Sequence, residues 1–305
     1  MNAATPRDTL WRRESIFWAC VALGFIALYG IQGNAQETQR EGHSAIAWMV
    51  HRWNGGGGNL SHGYLIPLVS AWAIWRRRRE LITAPKTAYP PALALIIMAL
   101  LVHLAGYRTQ LTRLSILSMV FLSWAIPLYV YGKGVARLLV FPCSYLLFCI
   151  PLSFLNTITV PLRLLASQVA AFLLNGIGIP AVSRGTAIFS AAAGGFDFDV
   201  ADACSGLRSL LAMTALTAVY AWYSQRGLWR QWILFLSAVP LAMAGNVLRI
   251  VIIALIAVGF GQDAAIHVYE KFSGMIVFVA AVSLMVAVAG LLSRHSARRE
   301  KRHAS

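Results

Sequence analysis

Apolar residues gather into eight runs, at about 15–31, 60–75, 91–107, 113–131, 136–152, 205–223, 231–259 and 272–292. Polar or basic segments separate them, and each run is near the roughly 20 residues that carry a helix across a bilayer. The pattern predicts an all-α, polytopic helical membrane protein with about eight transmembrane helices. It reads as a single integral membrane domain over 1–305, with one sizeable extramembrane insert at 153–204 leading into the sixth span. Within the insert, residues 157–175 read as an amphipathic helix. Val160, Leu164, Leu165, Ala171, Phe172 and Leu173 are set against Arg163, Ser167 and Gln168. Such a helix either lies in the outer interface or packs onto the bundle. Residues 179–203 are too broken by glycine and small residues for a span. There Phe196, Phe198 and Val200 alternate with Asp197 and Asp199, which predicts a short hairpin of 188–190 with 196–200 around Gly194-Gly195.

Composition agrees with the pattern. The 305 residues are 58% hydrophobic and 12% charged, against about 45–50% and 25% in a soluble globular protein. The first apolar run follows Arg12, Arg13 and Glu14 and lacks a small-x-small cleavage site, so it reads as an uncleaved span. A net charge of +15 would point to nucleic acid in a soluble domain. Here 17 of the 26 Lys and Arg fall on one set of alternating segments, which the positive-inside rule makes cytoplasmic. Seven of the eleven acidic residues fall on the other set. The charge is therefore mainly a topology signal. It places both termini in the cytoplasm and makes the lipid bilayer, not nucleic acid, the partner.

This topology collects the reactive groups on the outer face. Cys204 stands where the polar segment 196–203 meets the sixth span, and Arg208 follows one helical turn later, on the same face of a helix that starts near Ser205. A helix N-terminus and a fixed positive charge both favour thiolate over thiol. Arg249, between Leu248 and Ile250 in the seventh span, is an expensive residue for a membrane helix and marks a site or an ion pair, with snorkelling as the alternative. Counted from Arg230, it lies roughly 28 Å along the helix, near the outer edge. Asn246, one turn earlier, can orient its guanidinium or pack against another helix. His267 reads as part of an outer loop at 260–271 and supplies the proton-transfer group that a cysteine nucleophile needs. His62, in Ser-His-Gly-Tyr before the second span, competes with it as base or substrate-orienting group. Cys20, Cys143 and Cys149 lie within spans as small apolar residues. No Cys-x-x-Cys or His-Glu-x-x-His pairing supports a metal, and no cofactor is implied.

Ala-Cys-Ser-Gly-Leu-Arg at 203–208, Gly-Asn-Val-Leu-Arg at 245–249, the following His267 and Ser-His-Gly-Tyr at 61–64 together resemble the exosortase family. These are bacterial inner-membrane proteins proposed to be cysteine transpeptidases. The resemblance covers nearly the whole chain, including the eight-span plan. The basic tail after the last span matches the stand-alone form. The resemblance implies a catalytic triad of Cys204, Arg249 and His267, with Arg208, Asn246 and His62 in supporting or substrate-binding roles. A related archaeal group carries arginine in place of the histidine, so His267 favours the bacterial branch. The implied substrates are exported proteins ending in a Pro-Glu-Pro motif, a transmembrane helix and a basic cluster, cleaved at the periplasmic side. Composition alone also fits a non-enzymatic transporter or an assembly component for exopolysaccharide, but a transporter predicts polar residues near the midplane of several spans, and spans three, five and eight are almost wholly apolar there. A histidine-dependent membrane acyltransferase, with Cys204 incidental, is a second enzyme rival.

Overall fold

A computed structural model describes residues 6–31, 44–54, 61–150, 155–190, 197–199 and 206–303. The chain divides into two compact units, Met1–Leu152 and Ser153–Ser305. The boundary coincides with the start of the predicted insert.

In the first unit, α1 (Pro6–Phe25) runs into a π-helical turn at Ile26–Ile31. Next come α2 (Ala45–Trp53), a 3₁₀ turn at Ser61–Tyr64, α3 (Leu65–Arg76) and the short α4 (Arg78–Thr83). The unit closes with α5 (Ala92–Thr109), α6 (Thr112–Tyr145) and a 3₁₀ turn at Leu146–Cys149. The predicted spans 113–131 and 136–152 are the two arms of α6, divided at Gly132, whose φ is +78°. The Thr87 carbonyl presses on the face of Gly132 that a side chain would occupy. Thr87 and Tyr89 also donate to the carbonyls of Tyr131 and Tyr129 at 3.2 and 3.0 Å. Glycine is required here twice over, by its positive φ and by the close backbone approach.

The second unit begins with α7 (Leu155–Gly176), followed by β1 (Ala181–Arg184), β2 (Ala187–Ser190) and β3 (Asp197–Asp199). Four further helices complete it: α8 (Gly206–Ser224), α9 (Leu228–Leu236), α10 (Ala238–Phe260) and α11 (Gln262–His303). The predicted pairing of 188–190 with the segment after 196 is present, as Ile188 opposite Phe198 and Phe189 opposite Asp197. Residues 191–196, with the Gly194-Gly195 turn, lie outside the described residues. β1 is an additional strand, joined to β2 by the two-residue turn Gly185-Thr186 with Gly185 at φ +63°. A positive φ at that position is what tight hairpins need.

Two expectations are corrected. Residues 260–271 are not a loop. Gly261 alone joins α10 to α11, and His267 stands in the second turn of α11. Gly261, at φ +89°, ends one helix. Asp263 then sits in the first turn of the next, where a carboxylate suits the helix dipole. The predicted span 231–259 lies within one continuous apolar stretch, Leu228–Phe260, long enough to cross a membrane; Ser237 separates α9 from α10 within it, and Arg249 stands at the midpoint of α10. Finally, α7 packs onto the bundle, and not by its largest apolar residues. Ala166, Ala170, Ala171 and Leu174 meet Val247, Ile250 and Ala254 of α10. Phe172, by contrast, is 76% exposed, and Leu165 and Leu173 are exposed as well. Between membrane helices lipid is as apolar as leucine, so contacts favour small residues that let backbones approach while large side chains face outward.

Candidate functional site

Asn246, Arg249, His267 and the backbone of Arg208 belong to the second unit. Cys204 lies outside the described residues, as do the side chains of Arg208 and His62. What the structure does establish is the frame on either side of Cys204. The chain leaves the sheet at Asp199 and enters α8 at Gly206.

Helices α8, α10 and α11 share one core, in which Met213 and Ala221, Leu241 and Ala242, and Ala281, Met285 and Ala289 are packed together. Thr217 donates to the Met285 sulfur at 3.4 Å, and Gln225 donates to the Ala289 carbonyl at 3.2 Å and to Ser293 at 3.3 Å. α8 and α11 therefore run in the same direction. α10 runs opposite to α11, because a single residue connects them. Seven residues of α-helix advance about 10 Å and return to nearly the same face. One such step from Met213 toward the Gly261 corner reaches Gly206, the first residue of α8. The same step from Ala242 reaches Arg249, and two steps back from Ala281 reach His267. The start of α8 and Arg249 are thus level on one seam, and His267 follows on that seam about 10 Å nearer the corner.

Burial agrees with this reading of the seam. Arg249 is half-buried and shares its stripe with the buried Ala242, Gly245, Asn246 and Ile253. The outward stripe of α10 is Leu248, Leu255 and Val258, so Arg249 does not snorkel along a lipid-facing surface. His267 is exposed. The first turn of α8 holds no acidic residue and does hold Arg208, against the usual preference at that end. The N–H groups of a first helical turn have no partner within their own helix, and the helix dipole adds positive charge there, so the start of α8, two residues after Cys204, suits an anion.

The sheet is fastened at three places, two on α7 and one on α11. Asn175 donates to the Ala181 carbonyl at 2.7 Å and accepts from the Ala181 amide at 3.0 Å. Farther down α7, Ser167 donates to the Gly185 carbonyl at 2.9 Å. At the far edge Gln262, the first residue of α11, donates to the Asp197 carbonyl at 3.3 Å. The strand that leads to Cys204 is therefore tied to the α10–α11 corner.

In the first unit, His62 is the second residue of the 3₁₀ turn. Gly63 lies flat on the indole of Trp53, where any side chain would collide. Tyr64 stacks edge-on to Trp53 at 4.9 Å and donates to Asn54 at 2.9 Å. The Trp53 indole N–H donates to the Cys149 carbonyl at 3.3 Å. Gly63 and Tyr64 of the Ser-His-Gly-Tyr motif thus have local packing reasons, and His62 rides on a fixed turn.

The sequence pattern predicts Arg163 on the polar side of an amphipathic helix. It stands instead on the inward stripe of α7 with Ala166, Ser167, Ala170 and Leu174. Its Nε is buried without a hydrogen-bond partner. The missed signal was the i, i+3, i+4, i+7 spacing of these small residues. Among the described residues, no three His, Cys, Asp or Glu come together as a metal site would need.

No curated protein and no solved structure matches the chain. A family model described as transmembrane exosortase matches residues 53–287, a range that takes in Trp53, His62, Arg163, Cys204, Arg249 and His267. The chain, a membrane enzyme of exosortase type, belongs to the exosortase family.

Proposed function

We propose that this protein is a cysteine protease and transpeptidase that cleaves the C-terminal sorting signals of exported proteins at the periplasmic face of the bacterial inner membrane. The observation that carries the reading is the common seam of α8, α10 and α11. It sets Arg249 level with the helix start that follows Cys204, with His267 on the same seam.

A substrate held by its own transmembrane helix presents its scissile peptide at a fixed depth. Confinement then supplies the proximity that a soluble protease obtains from a groove. The Cys204 thiolate, favoured by the start of α8 and by Arg208, attacks the peptide carbonyl carbon, and the carbonyl π pair moves onto oxygen. Arg249 donates to that oxyanion, a contribution of a few kcal/mol from one well-placed donor. Asn246, one turn below on the same stripe, orients the guanidinium. His267 takes the thiol proton; as the oxyanion pair re-forms the carbonyl and the C–N bond breaks, it passes that proton to the leaving amine and a thioester remains. An acceptor amine or water, deprotonated by His267, attacks the thioester and releases the thiolate. His62 orients the substrate.

The experiment is co-expression of Cys204→Ala with a reporter that ends in a Pro-Glu-Pro motif, a transmembrane helix and a basic cluster. Processing is expected to stop while the protein remains in the membrane. Mass spectrometry of the reporter's new C-terminus distinguishes hydrolysis from transfer. Unimpaired processing by Cys204→Ala overturns the reading.

A further inference from the structure

We propose that the segment joining α4 to α5, laid across the kink of α6, is a binding site for the headgroup of an anionic phospholipid, with Lys86 and Lys133 as the ligands of its phosphate. The site lies wholly within the first unit and is independent of the transpeptidase reading.

The segment is held backbone to backbone. Thr87 donates to the Tyr131 carbonyl and Tyr89 to the Tyr129 carbonyl, at 3.2 and 3.0 Å, so the segment runs antiparallel to the end of α6's first arm. The Thr87 carbonyl abuts Gly132, and the Pro85 carbonyl lies 2.9 Å from where a side chain at Gly134 would begin. Two glycines thus let the strap close on the kink.

Across this contact each strand lends a lysine to the other's tyrosine. Lys86 of the strap sets its ammonium over Tyr131 of α6, 5.3 Å from the ring centre, and Lys133 of α6 sets its ammonium over Tyr89 of the strap at 4.4 Å. Both rings are fixed. Tyr131 stacks on Trp18 and accepts from its indole N–H at 2.9 Å, and Tyr89 packs against Ala92, Leu128 and Ala136. A ring face orients an ammonium without neutralising it, and both lysines are exposed. Lys86 to Tyr89 is about 10 Å of extended chain, so the two cations share one small surface. Arg137, one turn after Lys133, is exposed on the same side of α6's second arm.

The acidic residues of this unit are Asp8, Glu14, Glu37, Glu41 and Glu80. Glu37 and Glu41, and the side chain of Asp8, lie outside the described residues. Glu14 and Glu80 are exposed, and neither forms an ion pair with Lys86 or Lys133.

Apolar side chains beside the cations select a lipid over a dissolved phosphate. Ile82 of α4, two residues before the strap, is 72% exposed, and Phe17 beside Trp18 is exposed as well. Trp75 is exposed with Arg78 over its ring at 4.3 Å. Tryptophan, tyrosine and basic residues interleaved in this way mark the level of the headgroups. The charge distribution makes this side cytoplasmic, where anionic lipids attract basic segments. A topology signal requires positive charge anywhere in the segment. It does not require lysines exchanged across a glycine-dependent backbone contact.

Lipid binding is measured on the full-length protein in non-ionic detergent, where no change of topology can affect the result. Phosphatidylglycerol and phosphatidylcholine with the same fluorescent acyl chain are titrated separately and followed by anisotropy. Phosphatidylglycerol is expected to bind roughly 25-fold more tightly, from about fivefold for each basic side chain at an anionic surface. Lys86→Gln combined with Lys133→Gln removes that preference and leaves phosphatidylcholine binding unchanged. Each single substitution, at an exposed position, loses about fivefold, and provides the same comparison should the double variant fail to fold. Arg298→Gln combined with Arg299→Gln, in the basic tail, removes the same charge and leaves the preference intact. An excess of inorganic phosphate does not displace the lipid. Equal affinity for the two lipids overturns the inference. So does a tail variant that costs as much as the lysine variant, which would make the preference one of net charge. Displacement by inorganic phosphate also overturns it, by making the site one for a dissolved anion.

Discussion

Arg249 and His267 lie on one helical seam, on opposite sides of the single-residue corner at Gly261, with His267 about 10 Å nearer that corner. Neither is placed by a loop. Both are carried on helices whose register is set by the packing of Met213, Ala242 and Ala281 two turns below the arginine. A site on packed helices holds its geometry more tightly than one on connecting segments.

Arg249→Lys tests whether the seam arginine acts as a directed donor or as a charge. Lysine retains the charge but not the planar fork. Processing of a tail-bearing reporter is expected to fall by about 10²-fold, the cost of losing one oxyanion donor. The amount of folded protein should be unchanged, because Arg249 is not among the residues of the shared core. Near-normal rates in Arg249→Lys would reduce its role to electrostatics.

The corner itself is a second target. Gly261 has φ +89° and ψ 164°, with open space where a side chain would stand. The obstacle to Gly261→Ala is therefore backbone strain alone, roughly 1–3 kcal/mol. The variant should melt at lower temperature in detergent. It should also lose processing beyond its loss of stability, because the strain is relieved by turning α10 against α11. A normal rate at low temperature would show that the seam tolerates that rotation.

Much of this was legible in the sequence, and the failures share a cause. Hydropathy located the helices: the runs at 91–107 and 113–131 correspond to α5 and the first arm of α6. It also located Arg249 as a residue that needs an explanation. Hydropathy does not report which side of a membrane helix faces protein. Phe172 and Leu173 are the apolar choice by composition, yet the buried side of α7 is Ala166, Ala170 and Leu174. Arg163 was misread for the same reason. The segment 262–271 reads as a loop because Gln262, Asp263 and His267 are polar, although Ala264 and Ala265 are strong helix formers that carry α10's hairpin directly into α11. Cys204 was legible only as chemistry, and the sheet that precedes it was only half legible, because its first strand, Ala181–Arg184, has no alternating hydropathy.

The choice between the two histidines is open to kinetics. His267→Gln should lower the rate constant for processing by about 10²- to 10⁴-fold, as expected for removal of a general acid–base. His62→Gln should act mainly through substrate binding. Gly63→Ala separates the position of His62 from its chemistry. Its methyl group overlaps the Trp53 indole and displaces the turn while the imidazole is kept. It should therefore reproduce the His62→Gln phenotype. A large rate loss in His62→Gln with little in His267→Gln would exchange the roles.

Asn175 tests whether the sheet positions the segment that carries Cys204. Its amide satisfies both backbone groups of Ala181, and Ala181 is enclosed in the core between α7 and α10. Asn175→Ala leaves a buried donor and a buried acceptor unpaired, at roughly 1–3 kcal/mol each. The helices do not depend on that contact, because α8, α10 and α11 have their own core. The expected result is faster hydrogen exchange across β1 and β2 with exchange in α10 unchanged, together with a several-fold slower processing rate. The link between the two is the Gln262 bond to Asp197, which ties the same sheet to the α10–α11 corner. Gln262→Ala, at an exposed position, should therefore slow processing in the same direction with little change in exchange at β1. Loosened strands with an unaltered rate in both variants would mean that the start of α8 alone positions the nucleophile.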